Sequence, residues 1–411
     1  MNPSVLYISY DGMTDNLGQS QVIPYLIGLQ KRGYRIHILS CEKPQVFAHR
    51  NNHIAKLLQK NSIEWYPIPY TAKPAVISTL YDIKQLQREA IQIIRNHNIQ
   101  LIHCRSYIAA QVGLYCKKKF NIPWIFDMRG FWADERIDGG IWNMKNPVFK
   151  SIYRHFKQLE KKYIAQTSHI ISLTNAGKHE IETWKIHKKY PTPITVIPCC
   201  ADLEHFNNTR ISKQKLDELR TSLSIPASHF VLSYLGSFGT WYMTDEMFDF
   251  FKVLIDTQSN AIFLCITPDS PHVLEKIARK KQIPLSALRI VKANREDVPL
   301  YASLSNWSIF FIKPLYSKKA SSPTKMGELL GLGIPLVCNA GVGDVDTIMQ
   351  DCTQGYVISN YNSQEYARTI DSMFTHTIID TQQLHNVACS YYSLQKGIEA
   401  YEGVYRAVLK I

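Results

Sequence analysis

Apolar positions along this chain come in short blocks separated by polar stretches. Ser4–Tyr10 (SVLYISY) is such a block, and its length is that of a strand. A polar loop, DGMTDNLGQ, follows it, and a helical pattern starts near Ser20 with Val22, Ile23, Leu26, Ile27 and Leu29 on one face. Lys31-Arg32-Gly33 supplies a cationic end and a glycine stop, and YRIHILSC reads as the next strand, which completes a βαβ unit.

The alternation continues. The pattern predicts a helix over Ala90–His97, a strand over Ile99–Cys104, a helix over Ala109–Lys118, and strands over Pro123–Met128, His169–Thr174 and Thr192–Pro198. After a polar stretch from Asp202 to Ser228 a second series begins, with strands over Phe230–Ser237, Ala261–Thr267, Leu288–Ala293, Ser308–Pro314 and Pro335–Asn339. Helices are expected between them over Asp245–Thr257, His272–Gln282, Val298–Leu304 and Pro323–Leu332. This alternation predicts α/β architecture with two doubly wound parallel sheets, whose ligands bind beyond the carboxyl ends of the strands. A chain of 411 residues agrees, being too long for one ordinary core.

Charge adds an asymmetry. Residues 1–200 carry 27 Lys+Arg against 13 Asp+Glu, a net of +14, so the second half, at −1, contributes none of the overall +13. A basic first half suits an anionic partner such as a membrane surface or a lipid diphosphate, and equally a solvated basic face. No recognised nucleic-acid module accompanies it. The amino terminus has no cationic start with a long apolar stretch, and no segment approaches a membrane span, so a cytoplasmic protein is expected. The nine cysteines show no metal or redox spacing and read as reduced thiols; no metal site is expected.

The strongest local signal is SSPTKMGELLGLGIPLVCN (Ser321–Asn339). Ser321 or Ser322 can cap a helix whose first turn takes Pro323, and the amino end of that helix is suited to an anion. Lys325 sits where the helix dipole disfavours a cation, which makes sense if a phosphate lies there. Glu328, three residues on, faces the same way and is placed to accept hydrogen bonds from a pair of ribose hydroxyls.

With these residues in view, the chain resembles the glycosyltransferases of family 4, which have the GT-B fold. The resemblance is carried by LGQSQVIPYLIGLQKRGYRIHILS, FDMRGFWADERIDGGIW, ITVIPCCADLEHF, YLGSFGTWYMTDEM, SPTKMGELLGLGIPLV and SLQKGIEAYEGVYRAVL, and spans nearly the whole chain. It implies two facing Rossmann-like domains, an acceptor-side domain over 1–200 and a donor domain over 201–390, with a terminal helix over 391–411 returning to the first. It places a nucleotide diphosphate sugar on the second domain, the phosphates near Ser322, Pro323, Thr324 and Lys325 and the ribose on Glu328. Gly236 and Ser237 match the first loop of that domain. Asn16-Leu17-Gly18-Gln19 matches a segment of the first domain that closes over the phosphates, Gly18 letting backbone approach. A structural turn is the other reading of Gly18.

The chain departs from the family at Ala320, where a glutamate is common, and after Gly236, where Ser-Phe-Gly-Thr-Trp replaces a frequent arginine and lysine. Phosphate charge is then expected on Lys313, Lys325 and Arg295. Arg105 and Asp127 stand where the family commonly has histidines. Asp127, at a strand end, can accept a proton or bind an acceptor hydroxyl, and Arg129 or Arg105 can hold an anionic acceptor or the leaving phosphate, with His103 nearby. The other reading of FDMRGFWADERIDGGIW is a structural ion-pair network.

The function expected is transfer of a sugar from a nucleotide diphosphate sugar, with no metal and no other cofactor, to a saccharide or lipid-linked acceptor of cell-surface polysaccharide or glycolipid synthesis. Peripheral contact with an anionic membrane is expected through the basic half. The alternatives are a nucleotide-sugar epimerase of the same fold and a non-catalytic nucleotide-sugar-binding subunit.

Overall fold

The computed structural model describes residues 2–74, 76–375 and 378–411. The chain divides into two compact units. Unit 1 holds residues up to Cys199, the short piece Lys319–Ser321 and Leu394–Ile411; unit 2 holds Cys200–Lys318 and Ser322–Ser393.

Unit 1 is built on seven parallel strands: β1 (Ser4–Ser9), β2 (Arg35–Glu42), β3 (Glu64–Pro69), β4 (Leu101–Arg105), β5 (Trp124–Asp127), β6 (His169–Ser172) and β7 (Ile194–Val196), in the order β3-β2-β1-β4-β5-β6-β7. Every residue of β1, β4 and β5 is buried, as a central strand covered on both faces requires. Helices cover the sheet, and the core gathers Leu6, Ile8, Ile102, Trp124, Phe126 and Tyr163. The carboxyl-terminal helix Leu394–Leu409 packs on the helix Ile23–Lys31, where Gly28 leaves room for Ile398: a Cβ on Gly28 would stand 2.3 Å from that side chain.

Unit 2 repeats the winding with β8 (Phe230–Leu235), β9 (Ala261–Ile266), β10 (Leu288–Val291), β11 (Trp307–Phe310), β12 (Leu336–Asn339) and β13 (Gly355–Ile358), in the order β10-β9-β8-β11-β12-β13. Phe248, Phe250, Phe251, Phe263 and Phe311 fill its core. The strand order reverses at β1/β4 in one unit and β8/β11 in the other, and the loops after these strands are where such sheets bind ligands.

Several elements differ from the sequence expectation. The helix ending at His97 begins at Ile77, and helices Pro44–Lys60 and Pro147–Gln166 stand where no element was expected. So does β3, an edge strand, the position at which its two prolines cost no ladder hydrogen bonds. The polar stretch after Asp202 contains the helix Lys213–Ser222, which buries none of its residues.

Candidate functional site: a caged lysine and a pair of arginines

In unit 2, β8 ends at Leu235 and the chain turns at Gly236, whose φ of 112° only glycine adopts freely. A Cβ here would meet the Lys325 ammonium at 3.0 Å. Lys325 comes from the helix Thr324–Gly331, every residue of which from Lys325 onward is buried. The helix is seated that closely because Gly327 lies against Tyr392 and Gly331 against Leu203 and Phe206.

Neither serine caps this helix. Its N-cap is Pro323, which offers no side-chain acceptor, so the first N–H groups have no cap bond from a side chain. Proline at the cap rather than in the first turn shifts the expected start by one residue. Ser322, Pro323 and Thr324 are half-buried around that end.

Lys325 Nζ donates to Tyr234 Oη at 3.1 Å and lies over the rings of Tyr234 and Tyr242, 4.2 and 3.9 Å from their centroids. Burial pushes its pKa down to about 7, and the Glu328 carboxylate only partly offsets this. A second lysine, Lys318, is also buried, its Nζ 3.7 Å over the Trp241 ring. The stretch after Gly236 thus lacks cations of its own but carries the aromatics that hold two lysines from elsewhere. Lys318 escaped the sequence reading because only packing reveals a buried lysine.

Glu328 is buried and its Oε1 accepts from Arg295 Nη1 at 2.5 Å, while the Arg295 guanidinium stacks 4.7 Å from the Phe206 ring. No other side-chain donor reaches Glu328 among the described residues. Arg295 is thus paired with Glu328 in this structure. Ser237 is exposed and its carbonyl accepts from Tyr234 Oη at 2.5 Å; Lys313 is exposed.

In unit 1 the loop after β1 is organised by Glu42, which is buried at the end of β2. It accepts from the backbone N–H groups of Met13 (2.7 Å) and Thr14 (3.1 Å) and from the hydroxyls of Thr14 (2.6 Å) and Ser40 (2.7 Å). The helix expected from Ser20 begins at Asn16, so Gly18 and Gln19 are helical. A Cβ on Gly18 would stand 2.3 Å from the Gly12 carbonyl, so the backbone that approaches Gly18 is the protein's own. Gln19 Nε2 closes the turn on the Thr14 carbonyl at 2.9 Å. An open groove of about 770 Å³ lies alongside, lined by Asp11, Asp15, Asn16, Lys43, His49 and Arg50.

At the ends of β4 and β5, His103, Arg105, Asp127 and Arg129 come together. Tyr401 Oη donates to Asp127 Oδ2 at 3.0 Å, His103 Nε2 stands 3.4 Å from the same oxygen, and His103 Nδ1 lies 2.8 Å from Tyr405 Oη. Burial would raise the Asp127 pKa, but Arg129, His103 and Arg105 hold it below its ordinary value; burial lowers that of His103 against the pull of Asp127. Asp127 is thus ionised, which assigns the Nε2 proton to His103 and makes Tyr405 the donor to Nδ1. Asp127 and His103 have at most 1% of their surface exposed, so neither can meet an acceptor hydroxyl; their partners are the tyrosines of the terminal helix.

The arginines are different. Arg129 has φ 55°, unfavourable for a side-chain-bearing residue, and donates through Nη2 to Cys199 Sγ at 3.2 Å. Arg105 Nε stands 3.4 Å from Asp11 Oδ2. Arg105 Nη1 and Arg129 Nε and Nη1 are buried with no hydrogen-bond partner. The two guanidiniums flank the Asp127 carboxylate, Arg105 also pairing with Asp11, and three of their nitrogens have no partner.

Further along FDMRGFWADERIDGGIW, Arg136 lies over the Trp132 ring and Asp134 belongs to an ion network. Asp134 accepts from Tyr153 at 2.8 Å and Lys157 at 3.0 Å, and Lys157 also pairs with Glu160, to which Tyr107 donates. Ala320 lies in the unit 1 core, its Cβ 3.0 Å from where a Cβ on Gly177 would be, so a longer side chain would have to turn out of this packing.

Comparison with known proteins agrees with this architecture. Residues 22–205 match the family model described as Glycosyltransferase Family 4. No curated protein matches the chain in sequence. Among solved structures, a sucrose-phosphate synthase from Thermosynechococcus elongatus superposes with a TM-score of 0.74 at 13% identity, covering 98% of each chain. A glycosyltransferase from Rickettsia africae gives 0.71 at 15% identity, over 100% of this chain and 99% of the other. Anabaena Alr3699/HepE, solved in complex with UDP, gives 0.70 at 13%, over 98% and 99%. Residues 22–205 of this chain thus match the model of glycosyltransferase family 4, and both of its units have the Rossmann-like form of the GT-B glycosyltransferases.

Proposed function

We propose that this protein transfers a sugar from a nucleotide diphosphate sugar, bound by unit 2, to a saccharide or lipid-linked acceptor engaged by unit 1. The observation that carries this is Lys325, a buried ammonium caged by Tyr234 and Tyr242 against the Gly236 turn, one helical turn before the carboxylate of Glu328. A diphosphate at that turn meets the lysine and the uncapped helix end, and its ribose meets Glu328 in exchange for, or alongside, Arg295. The complex of Alr3699/HepE with UDP supports a uridine nucleotide as the first to test.

In the transfer, the bond from the anomeric carbon to the diphosphate oxygen breaks, its electron pair leaving with the diphosphate. The acceptor oxygen bonds to that carbon, and its proton passes to an oxygen of the departing diphosphate. Lys325 and the helix end take up the charge that develops on the leaving group, a role that needs no metal ion. Asp127, the carboxylate the sequence offered as base, is sealed inside unit 1, which supports transfer with retention of configuration. Arg105 and Arg129 hold an anionic group of the acceptor or the departing phosphate. Exposed Val76, Ile77, Leu80 and Tyr81 on one basic unit support peripheral contact with an anionic membrane.

The test is release of nucleoside diphosphate from a panel of nucleotide sugars, without and with lipid-linked saccharides. One donor should be turned over, faster with acceptor, and turnover should fall at least about tenfold in Lys325→Ala. Conversion of the donor to an epimer would replace this reading by the epimerase, and binding without any turnover would replace it by the binding subunit.

A further inference from the structure

The amino-terminal edge of the unit 1 sheet, opposite to the strand ends that carry the arginines, gathers a separate set of side chains. His37 is the third residue of β2 and pairs in register with Glu64, the first of β3; His97 is the last residue of the helix Ile77–His97. One ligand atom from each of the three lies within 4.8 Å of the others. His37 Nδ1 is 3.6 Å and His97 Nε2 3.7 Å from the same oxygen, Glu64 Oε2, and the two imidazole rings lie 4.5 Å apart. His37 is 3% exposed, and its Nδ1 is buried without a hydrogen-bond partner. Tyr66 Oη reaches Glu64 Oε2 at 2.6 Å and His97 Nε2 at 2.9 Å.

The 3.6 and 3.7 Å separations of the two histidines from Glu64 are too long for hydrogen bonds and close to the donor spacing of about 3.3–3.5 Å around a tetrahedral ion with bonds near 2.1 Å. His37 and Glu64 are fixed by their strands, so the helix end bearing His97 has the least distance to move. Two imidazole nitrogens and one carboxylate oxygen suit zinc and its neighbours in the first transition row rather than magnesium or calcium.

We propose that His37, Glu64 and His97 bind a divalent transition metal, zinc fitting best, which fastens the edge strand β3 to the end of the helix Ile77–His97. Water completes the coordination, and Tyr66 orients Glu64. The site lies at the opposite end of the unit 1 sheet from Arg105 and Arg129 and does not rest on the transferase reading.

The experiment is calorimetric titration of untagged, chelator-treated full-length protein with Zn²⁺, with the visible absorption of bound Co²⁺ as a second readout. Wild type should bind one ion at micromolar or lower concentration and melt at a higher temperature with zinc. Glu64→Gln and His97→Gln should each weaken binding at least about tenfold, lose the rise in melting temperature and bind nucleoside diphosphate as wild type does. The side chain of Glu64 is 55% exposed, so the glutamine variant leaves the fold in place. Absence of stoichiometric binding by wild type, or binding unchanged in both variants, would overturn the proposal.

Discussion

Lys325 is where charge, burial and ligand chemistry meet in one residue. Its pKa of about 7 in the folded chain lies below the value of 10.5 it has when unfolded, so the unfolded state holds the extra proton between these limits. Native stability therefore rises with pH through that window, and the cost of the buried lysine is fully present below about pH 7. Lys325→Met should melt at a higher temperature than wild type at pH 6, and the difference should vanish towards pH 10; a variant equally or less stable at pH 6 would contradict the caged-cation account. A diphosphate beside the ammonium reverses the balance and restores the proton. Nucleotide binding at pH 8 should thus take up close to one proton, read from binding heats in buffers of different ionisation enthalpy.

At the same scale, that Lys325 and Glu328 share one helix was legible because their spacing is a local property. The Glu328 partner of Arg295 and the burial of Lys318 were not legible, since they depend on residues 33 and 77 positions away.

Among the elements, the terminal helix Leu394–Leu409 is held to unit 1 by Tyr401 and Tyr405 acting on Asp127 and His103. Tyr401→Phe removes one donor from a buried charge and should cost about 1.5–3 kcal/mol of stability, measured by denaturant unfolding, while leaving the nucleotide Kd unchanged. A loss of turnover without loss of stability would instead place Asp127 in the chemistry. Gly18→Ala presses a methyl into the backbone of Gly12 and Met13 and should cost about 1–3 kcal/mol. The strands with continuous apolar runs were legible, as were the helices between them. Pro44–Lys60 and Pro147–Gln166 were not, because each buries one narrow stripe and reads as polar along its length. The metal cluster was invisible for a topological reason: His37, Glu64 and His97 are far apart in sequence and meet only through strand pairing and helix return.

For the whole molecule, the net charge of +14 on residues 1–200 predicts that the chain sediments with vesicles rich in anionic lipid at low salt and is released near 0.5 M salt, about where screening shortens to a few ångströms. Among the described residues no helix is long and apolar enough to cross a membrane. Vesicle binding that persists at high salt would point to apolar insertion around Ile77, Leu80 and Tyr81 instead.

The central claim, that Lys325 and Glu328 form a nucleotide diphosphate site, is tested most directly by calorimetric titration of the protein with a panel of nucleoside diphosphates, beside Lys325→Ala and Glu328→Gln. The account predicts that one nucleotide binds, that the lysine variant weakens it by about ten- to a hundredfold at pH 7, and that the glutamine variant weakens it while keeping the same melting temperature. Binding that is absent in wild type, or equal in all three proteins, would contradict it.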